Sequence, residues 1–328
     1  MNSKKKLLII ISLLAFFIPS IVFAYSSKVI LGGDNIGISV NTKDVLVVGF
    51  YKVNGKYIAK DSGFLIGDRI VKVNGNNISS IDDLVKEINK SSDKRVVITV
   101  KRLDGYKDIE LNLIKENDIF KTGLYIIDQI TGVGTLTYID PETMIFGALG
   151  HEIVDSKTGR MIDIENGFIF ESQVTGVIKS TKSKPGEKQA KFNQSNVFGT
   201  IDKNTIDGIF GKYIKNKNQD NLIDVGLISD IELGPAKIIT TLDGNTIKEY
   251  NINIIKINDD STTKNILFEI TDKKLLKKTN GVIKGMSGSP IVQNNKIIGA
   301  VTHAIVNENT KGYGIFITKM LEEGEKNR

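Results

Sequence analysis

Gly285-Met286-Ser287-Gly288-Ser289-Pro290-Ile291-Val292 is the stretch on which the reading of this 328-residue chain turns. Two serines stand among small or rigid residues, directly before an apolar run. Gly285 and Gly288 let the backbone turn sharply, so the N–H groups of Gly285 and Ser287 can converge, and Pro290 fixes the exit into a strand starting at Ile291. A serine hydroxyl in such a turn becomes a nucleophile only if a base accepts its proton and a third group orients that base. Amide donors must also face the developing oxyanion. Ser287 and Ser289 are both candidates, and Ser289 can equally hydrogen-bond within the turn.

The base must be sought among two histidines, and there is no cysteine. His151 ends the run T-L-T-Y-I-D-P-E-T-M-I-F-G-A-L-G-H, which reads as a β-hairpin turning at Asp140-Pro141-Glu142-Thr143. His303 lies in G-A-V-T-H-A-I-V, inside an apolar strand, and reads as a core histidine or a support for the nucleophile. From the residues alone the orienting acid stays open among Asp140, Asp155, Asp163 and Asp272. The last of these precedes K-K-L-L-K-K as a helix cap would. Without cysteine, disulfides, thiolate catalysis and Cys-based zinc sites are excluded. Two histidines far apart supply no local metal spacing, and no phosphate-binding glycine loop is present. No metal or cofactor is therefore expected. A net charge of +6 is modest for this length and points to no nucleic-acid partner.

The remainder of the chain divides into three parts. Lys4, Lys5 and Lys6 precede an uncharged apolar stretch, Leu7 to Ala24, so residues 1–24 read as a signal segment or membrane anchor that sends the rest out of the cytoplasm. Residues 33–103 read as a small α/β domain. Asn74-Gly75 marks a tight turn, Ser80 and Asp83 form a capping box, and Ile81, Leu84, Val85 and Ile88 make one apolar helical stripe. Across residues 115–320 short apolar runs alternate with turns such as Asp243-Gly244 and Asn294-Asn295, the pattern of an all-β barrel or sandwich. The basic stretch Lys179 to Lys191 reads as a solvated surface loop.

Gly63, Ile66-Gly67-Asp68, Ile70, Val73-Asn74-Gly75, Ile78 and the Asp83-Leu84 helix together resemble a PDZ domain. That resemblance implies strand addition of an extended peptide, with Gly32, Gly33 and Gly37 as the carboxylate loop. G-M-S-G-S-P resembles the nucleophile signature of chymotrypsin-like proteases. With F-G-A-L-G-H-E-I (Phe146 to Ile153), G-V-G-T-L-T-Y (Gly132 to Tyr138), G-P-A-K-I (Gly234 to Ile238) and I-I-G-A-V-T-H-A (Ile297 to Ala304), the chain resembles the stage IV sporulation protein B peptidase family. The resemblance implies a mainly β fold: a chymotrypsin-like double β-barrel preceded by a PDZ-like domain and an N-terminal membrane segment. It implies a triad of Ser287 as nucleophile, His151 as base and Asp272 as orienting acid, with Gly285 and Ser287 as oxyanion hole. Met286 stands where digestive enzymes carry the aspartate that forms an ion pair on activation. The expected role is that of a protease exported to the space between forespore and mother cell. There it cleaves a membrane-bound regulatory protein and so triggers intramembrane proteolysis and late sigma-factor activation. The PDZ-like domain would bind a peptide, from this chain or from the target. The rival expectation is an adaptor in which the same domains only scaffold, and an esterase would share the triad.

Overall fold

β1 (Lys28–Leu31) leads into a 16-residue strand, β2 (Asn35–Phe50). A small body follows: helix α1 (Ile58–Asp61), β3 (Arg69–Val73), β4 (Asn76–Asn77), helix α2 (Ile81–Lys90), β5 (Arg95–Arg102) and β6 (Gly105–Asn112). The ribbon β7 (Ile114–Glu116) and β8 (Ile119–Lys121) then delivers the chain to a second 16-residue strand, β9 (Leu124–Ile139). β2 and β9 run antiparallel, with Asn35 opposite Thr135 at one end and Phe50 opposite Leu124 at the other. This computed structural model describes residues 25–91, 94–216 and 221–326. The expected membrane segment at 1–24 lies outside them, and no helix among the described residues is long and apolar enough to cross a membrane.

Each long strand serves two bodies. Val45 and Val47 of β2 and Leu124 of β9 are buried with Ile70, Val73, Leu84, Ile88, Val96, Ile98 and Ile109, the core of the small PDZ-like body. That domain forms as its residues dictate. Asn74 and Gly75 both take positive φ, 49° and 85°, as a two-residue hairpin turn needs. The Ser80 side chain accepts from the Asp83 N–H to cap α2, and Leu84 and Ile88, one turn apart, bury the helix's apolar face. Asp68, 1% exposed, is held by both Nε and a terminal nitrogen of Arg102, at 2.6 and 2.7 Å.

The other halves of β2 and β9 belong elsewhere, which moves the expected boundary. Asn35–Asn41 pair with β9 at Thr135–Gln129, and Ile36–Thr42 pair on the opposite edge with β11 (Ile164–Ile178). Residues 28–42 are thus part of the larger body that follows, and the small body opens near Val45. The carboxylate loop expected at Gly32, Gly33 and Gly37 is not formed. Gly32 and Gly33 donate to the carbonyls of Thr137 and Leu136, and a Cβ on Gly37 would sit 2.1 Å from the Phe170 ring. These glycines allow close packing against a neighbouring strand and ring rather than opening an anion-binding turn.

The larger body continues with β10 (Ile145–Ala148), β11, β12 (Glu187–Ile201), β13 (Lys203–Thr205), β14 (Gly208–Lys212) and β15 (Leu222–Val225). It is completed by β16 (Gly234–Thr241), β17 (Ile247–Ile257), β18 (Ile266–Ile270), helix α3 (Lys273–Thr279), β19 (Pro290–Gln293), β20 (Lys296–Ala304), β21 (Lys311–Phe316) and helix α4 (Ile317–Glu325). Every described strand except the β7–β8 ribbon joins one closed set of pairings. This body holds two cores: Ile36, Ile38, Leu136, Phe146, Ile169 and Ile209 in one, and Ile238, Ile252, Phe268, Met286, Ile291 and Phe316 in the other. A third cluster, Tyr138, Phe210, Ile297, Ile315, Met320 and Leu321, docks α4 between them. The stretch 179–191 is not wholly a solvated loop, since β12 starts at Glu187. Within E-K-Q-A-K the strand alternation turns Lys188 inward, where it is 5% exposed, and leaves Glu187, Gln189 and Lys191 outside.

Candidate active site

The two cores meet along β9, and there the histidine and the serine come together. The hairpin β9–β10 turns at Asp140, whose carboxylate accepts from the N–H groups of Glu142 and Thr143 at 2.9 and 3.0 Å. β10 then delivers Leu149 and Gly150, both with positive φ (68° and 69°), and the chain bends to present His151. Gly150 has little room for a side chain: a Cβ there would lie 3.1 Å from Ile315 and Thr302.

Ser287 arrives from the other core on the Gly285–Pro290 turn. Gly285 and Gly288 have φ of 90° and 88°, values at which an L side chain is strained. A Cβ on Gly288 would stand 2.1 Å from the carbonyl oxygen of Thr135. Strand β9 clamps this turn: the Thr135 N–H donates to the Ser287 carbonyl at 3.0 Å, and the Thr135 and Thr137 hydroxyls donate to the carbonyls of Gly285 and Gly288 at 2.7 and 2.8 Å. The Lys284 carbonyl accepts from the Lys188 N–H, and the Met286 carbonyl from the Ser289 N–H. Across planar trans peptides the N–H groups of Gly285 and Ser287 therefore point the opposite way. Among the described residues neither donates to a protein acceptor.

His151, Ser287, Gly285, His303 and Thr302 line one cleft of about 630 Å³, walled also by Ile38, Leu149 and Ile283. The His151 Nδ1 donates to the Glu152 carbonyl at 2.8 Å, which leaves Nε2 as the unprotonated, accepting nitrogen of the neutral ring. Burial pushes the His151 pKa below the ordinary histidine value, and the adjacent Glu152 only partly opposes this. His303 is not a core histidine: its ring is exposed and lies against that of His151, with centroids 4.9 Å apart. Surrounding protein, and then the proximity of His151 and Lys264, depress its pKa to about 4. It stays neutral near pH 7 and offers a flat wall to the base. The Ser287 hydroxyl donates to the Thr302 carbonyl at 2.8 Å, a resting position from which a χ1 rotation must release it.

Of the residues expected here, Asp272 is not brought to the imidazole. One carboxylate oxygen caps α3, accepting from the N–H groups of Lys274 and Leu275 at 2.9 Å each, and the other accepts from Asn251 N at 3.4 Å. Among the described residues no carboxylate pairs with His151, whose Nδ1 partner is a backbone carbonyl. Ser289 is fully buried and lies outside the cleft, its hydroxyl 3.5 Å from that of Thr135. Sequence reasoning did not assign Thr135, Thr137, Thr302 or Lys188. The alternation T-L-T inside a strand carried the only signal for the two clamping threonines, and Lys188 was hidden in a run of exposed lysines.

A mainly β chain that sets a histidine at a strand end opposite a serine on a two-glycine turn, and carries a PDZ domain, has the pattern of a serine peptidase. The family comparison is more particular. The model of the SpoIVB peptidase S55 family matches residues 118–321 and that of the PDZ domain residues 50–102. The chain belongs to the SpoIVB peptidase S55 family. Similar solved structures include the inactive form of the Rv3671c protease, 13% identical over 58% of this chain and 82% of that chain, with a TM-score of 0.32. A serine-to-alanine mutant of Rv3671c from M. tuberculosis H37Rv, also in inactive form, is 12% identical over 60% of this chain and 83% of that one, at a TM-score of 0.30. No curated protein matches the chain.

Proposed function

We propose that this protein is an exported serine endopeptidase of endospore formation, built on a chymotrypsin-like double barrel. It cleaves the extracytoplasmic part of a membrane-bound regulatory protein and so triggers intramembrane proteolysis and late mother-cell sigma-factor activation. One observation carries the peptidase reading: His151 and Ser287, on separate elements, share a cleft with two N–H groups that have no protein acceptor among the described residues. The Ser287 hydroxyl leaves the Thr302 carbonyl and gives its proton to His151 Nε2 as its oxygen attacks the scissile carbonyl. The amides of Gly285 and Ser287 receive the oxyanion, and His151 then protonates the departing amine. The Glu152 carbonyl holds the imidazole in the tautomer this requires. Sporulation, substrate and export rest on family membership and on the N-terminal stretch of the sequence. The PDZ domain supports peptide binding.

The adaptor reading draws on one specific feature, the hydroxyl turned toward Thr302 with Asp272 away from the ring. Incubation of the full chain with denatured casein, read by mass spectrometry, separates the two. Cleavage abolished by Ser287→Ala supports the peptidase, and casein left intact by a folded parent supports the adaptor.

A further inference from the structure

Directly beneath the nucleophile turn lies a lysine that the reaction above does not use. Lys188 is 5% exposed, and among the described residues no carboxylate pairs with it. Its ammonium donates to the hydroxyls of Thr135 and Thr240 at 3.1 and 3.2 Å. Burial with no compensating charge pushes its pKa down to about 7. A buried, unpaired amino group is costly to keep, and an apolar chain of the same length would fill this space at no such cost.

What it touches is informative. The Thr135 hydroxyl that accepts from Lys188 donates its own hydrogen bond to the carbonyl of Gly285 at 2.7 Å. The Lys188 stem meanwhile packs on the same residue: Cβ, Cγ and Cδ would lie 3.2, 3.1 and 3.0 Å from any Cβ at position 285. The Lys188 backbone N–H donates to the carbonyl of Lys284, fixing the peptide that precedes Gly285. Backbone, stem and head group of one residue thus hold the two peptide groups flanking the α-carbon of Gly285. The next residue, Met286, is buried in an apolar core and supplies no charge to order the turn.

Resting on the peptidase reading, we propose that Lys188 is a positioning residue for the oxyanion hole. Through the Thr135 hydroxyl it fixes the Gly285 carbonyl, and with its stem against the Gly285 α-carbon it limits rotation there, so that the N–H on the preceding peptide stays turned to the cleft. The claim is separate from the nucleophile's identity, because Lys188 touches neither Ser287 nor His151.

The test is fluorophosphonate inactivation of the full chain, resolved into the maximal rate and the concentration giving half that rate. Lys188→Met keeps the stem and removes the amine, Thr135→Val breaks the relay, and Thr135→Ser keeps it. The maximal rate should fall about 10- to 100-fold in Lys188→Met and Thr135→Val, with half-saturation within about twofold of the parent. Thr135→Ser should stay within about threefold, and the Lys188→Met/Thr135→Val double variant should be no slower than the slower single one. Parent-like inactivation of Lys188→Met, equal slowing by Thr135→Ser and Thr135→Val, or additive losses would each overturn the proposal. If Lys188→Met does not fold, Lys188→Leu, which also removes the amine, takes its place, with the same fall expected and parent-like inactivation overturning the proposal. A folded parent that is never labelled would instead refute the nucleophile reading, and this inference with it.

Discussion

Replacing Lys188 by methionine should make the protein more stable and less active at once. The buried ammonium titrates near 7, against 10.5 for a free lysine. That gap, at 1.36 kcal/mol per pH unit, corresponds to roughly 5 kcal/mol of cost for carrying the charge inside. Two hydrogen bonds to threonine hydroxyls are lost in the variant, at ~1 kcal/mol each, so the net gain near pH 6 is about 3 kcal/mol. The sign with pH follows from proton binding. Below about 7 both folded and unfolded chains hold the proton, and the cost of burying it is fully present. Between about 7 and 10.5 only the unfolded chain holds it, so parental stability rises with pH and the advantage of methionine shrinks. Above that window only the lost hydrogen bonds remain, and the variant becomes the less stable of the two. Urea unfolding of parent and variant at about pH 6 and about pH 10 reads this difference directly. A variant less stable at pH 6, or a difference independent of pH, would refute the picture of an uncompensated buried charge.

Three further outcomes follow. Asparagine caps a helix about as well as aspartate, whereas alanine loses about 1 kcal/mol. If Asp272 serves only α3, Asp272→Asn keeps both stability and activity while Asp272→Ala loses stability alone; a drop of about 10⁴ in kcat for Asp272→Asn, at parental stability, would mean the carboxylate reaches His151 during turnover. With Nδ1 held by a carbonyl and burial pressing the His151 pKa down, the acidic limb of kcat/KM should lie below about 6.5, and a limb above 7 would require a carboxylate at the ring. Arg102→Met strands the buried Asp68 and should destabilise the PDZ body by about 3–5 kcal/mol, seen as early hydrogen exchange in α2 and β5; unchanged protection there would contradict the weight given to that pair.

Local rules carried much of this molecule. Asn74-Gly75, the Ser80 cap, the turn at Asp140 and the helix after Asp272 are each decided by a few neighbouring residues, and each stands as the sequence implies. The glycines of the nucleophile turn were legible for the same reason. What was not legible depends on pairing between distant strands. Gly32, Gly33 and Gly37 look like a loop in sequence, yet β9 and β11 close on β1 and β2 and spend their amides. Lys188 looks solvated until the alternation of β12 turns it under Gly285. The triad acid was assigned by resemblance, and the helix-capping role that Asp272 has here is the one its local sequence supports.

If Ser287 is the nucleophile and His151 activates it, mass-spectrometric mapping of the fluorophosphonate adduct on the full chain will find a single adduct on Ser287, absent from the folded variant His151→Ala. An adduct on Ser289, or labelling that persists in Ser287→Ala, would refute that assignment.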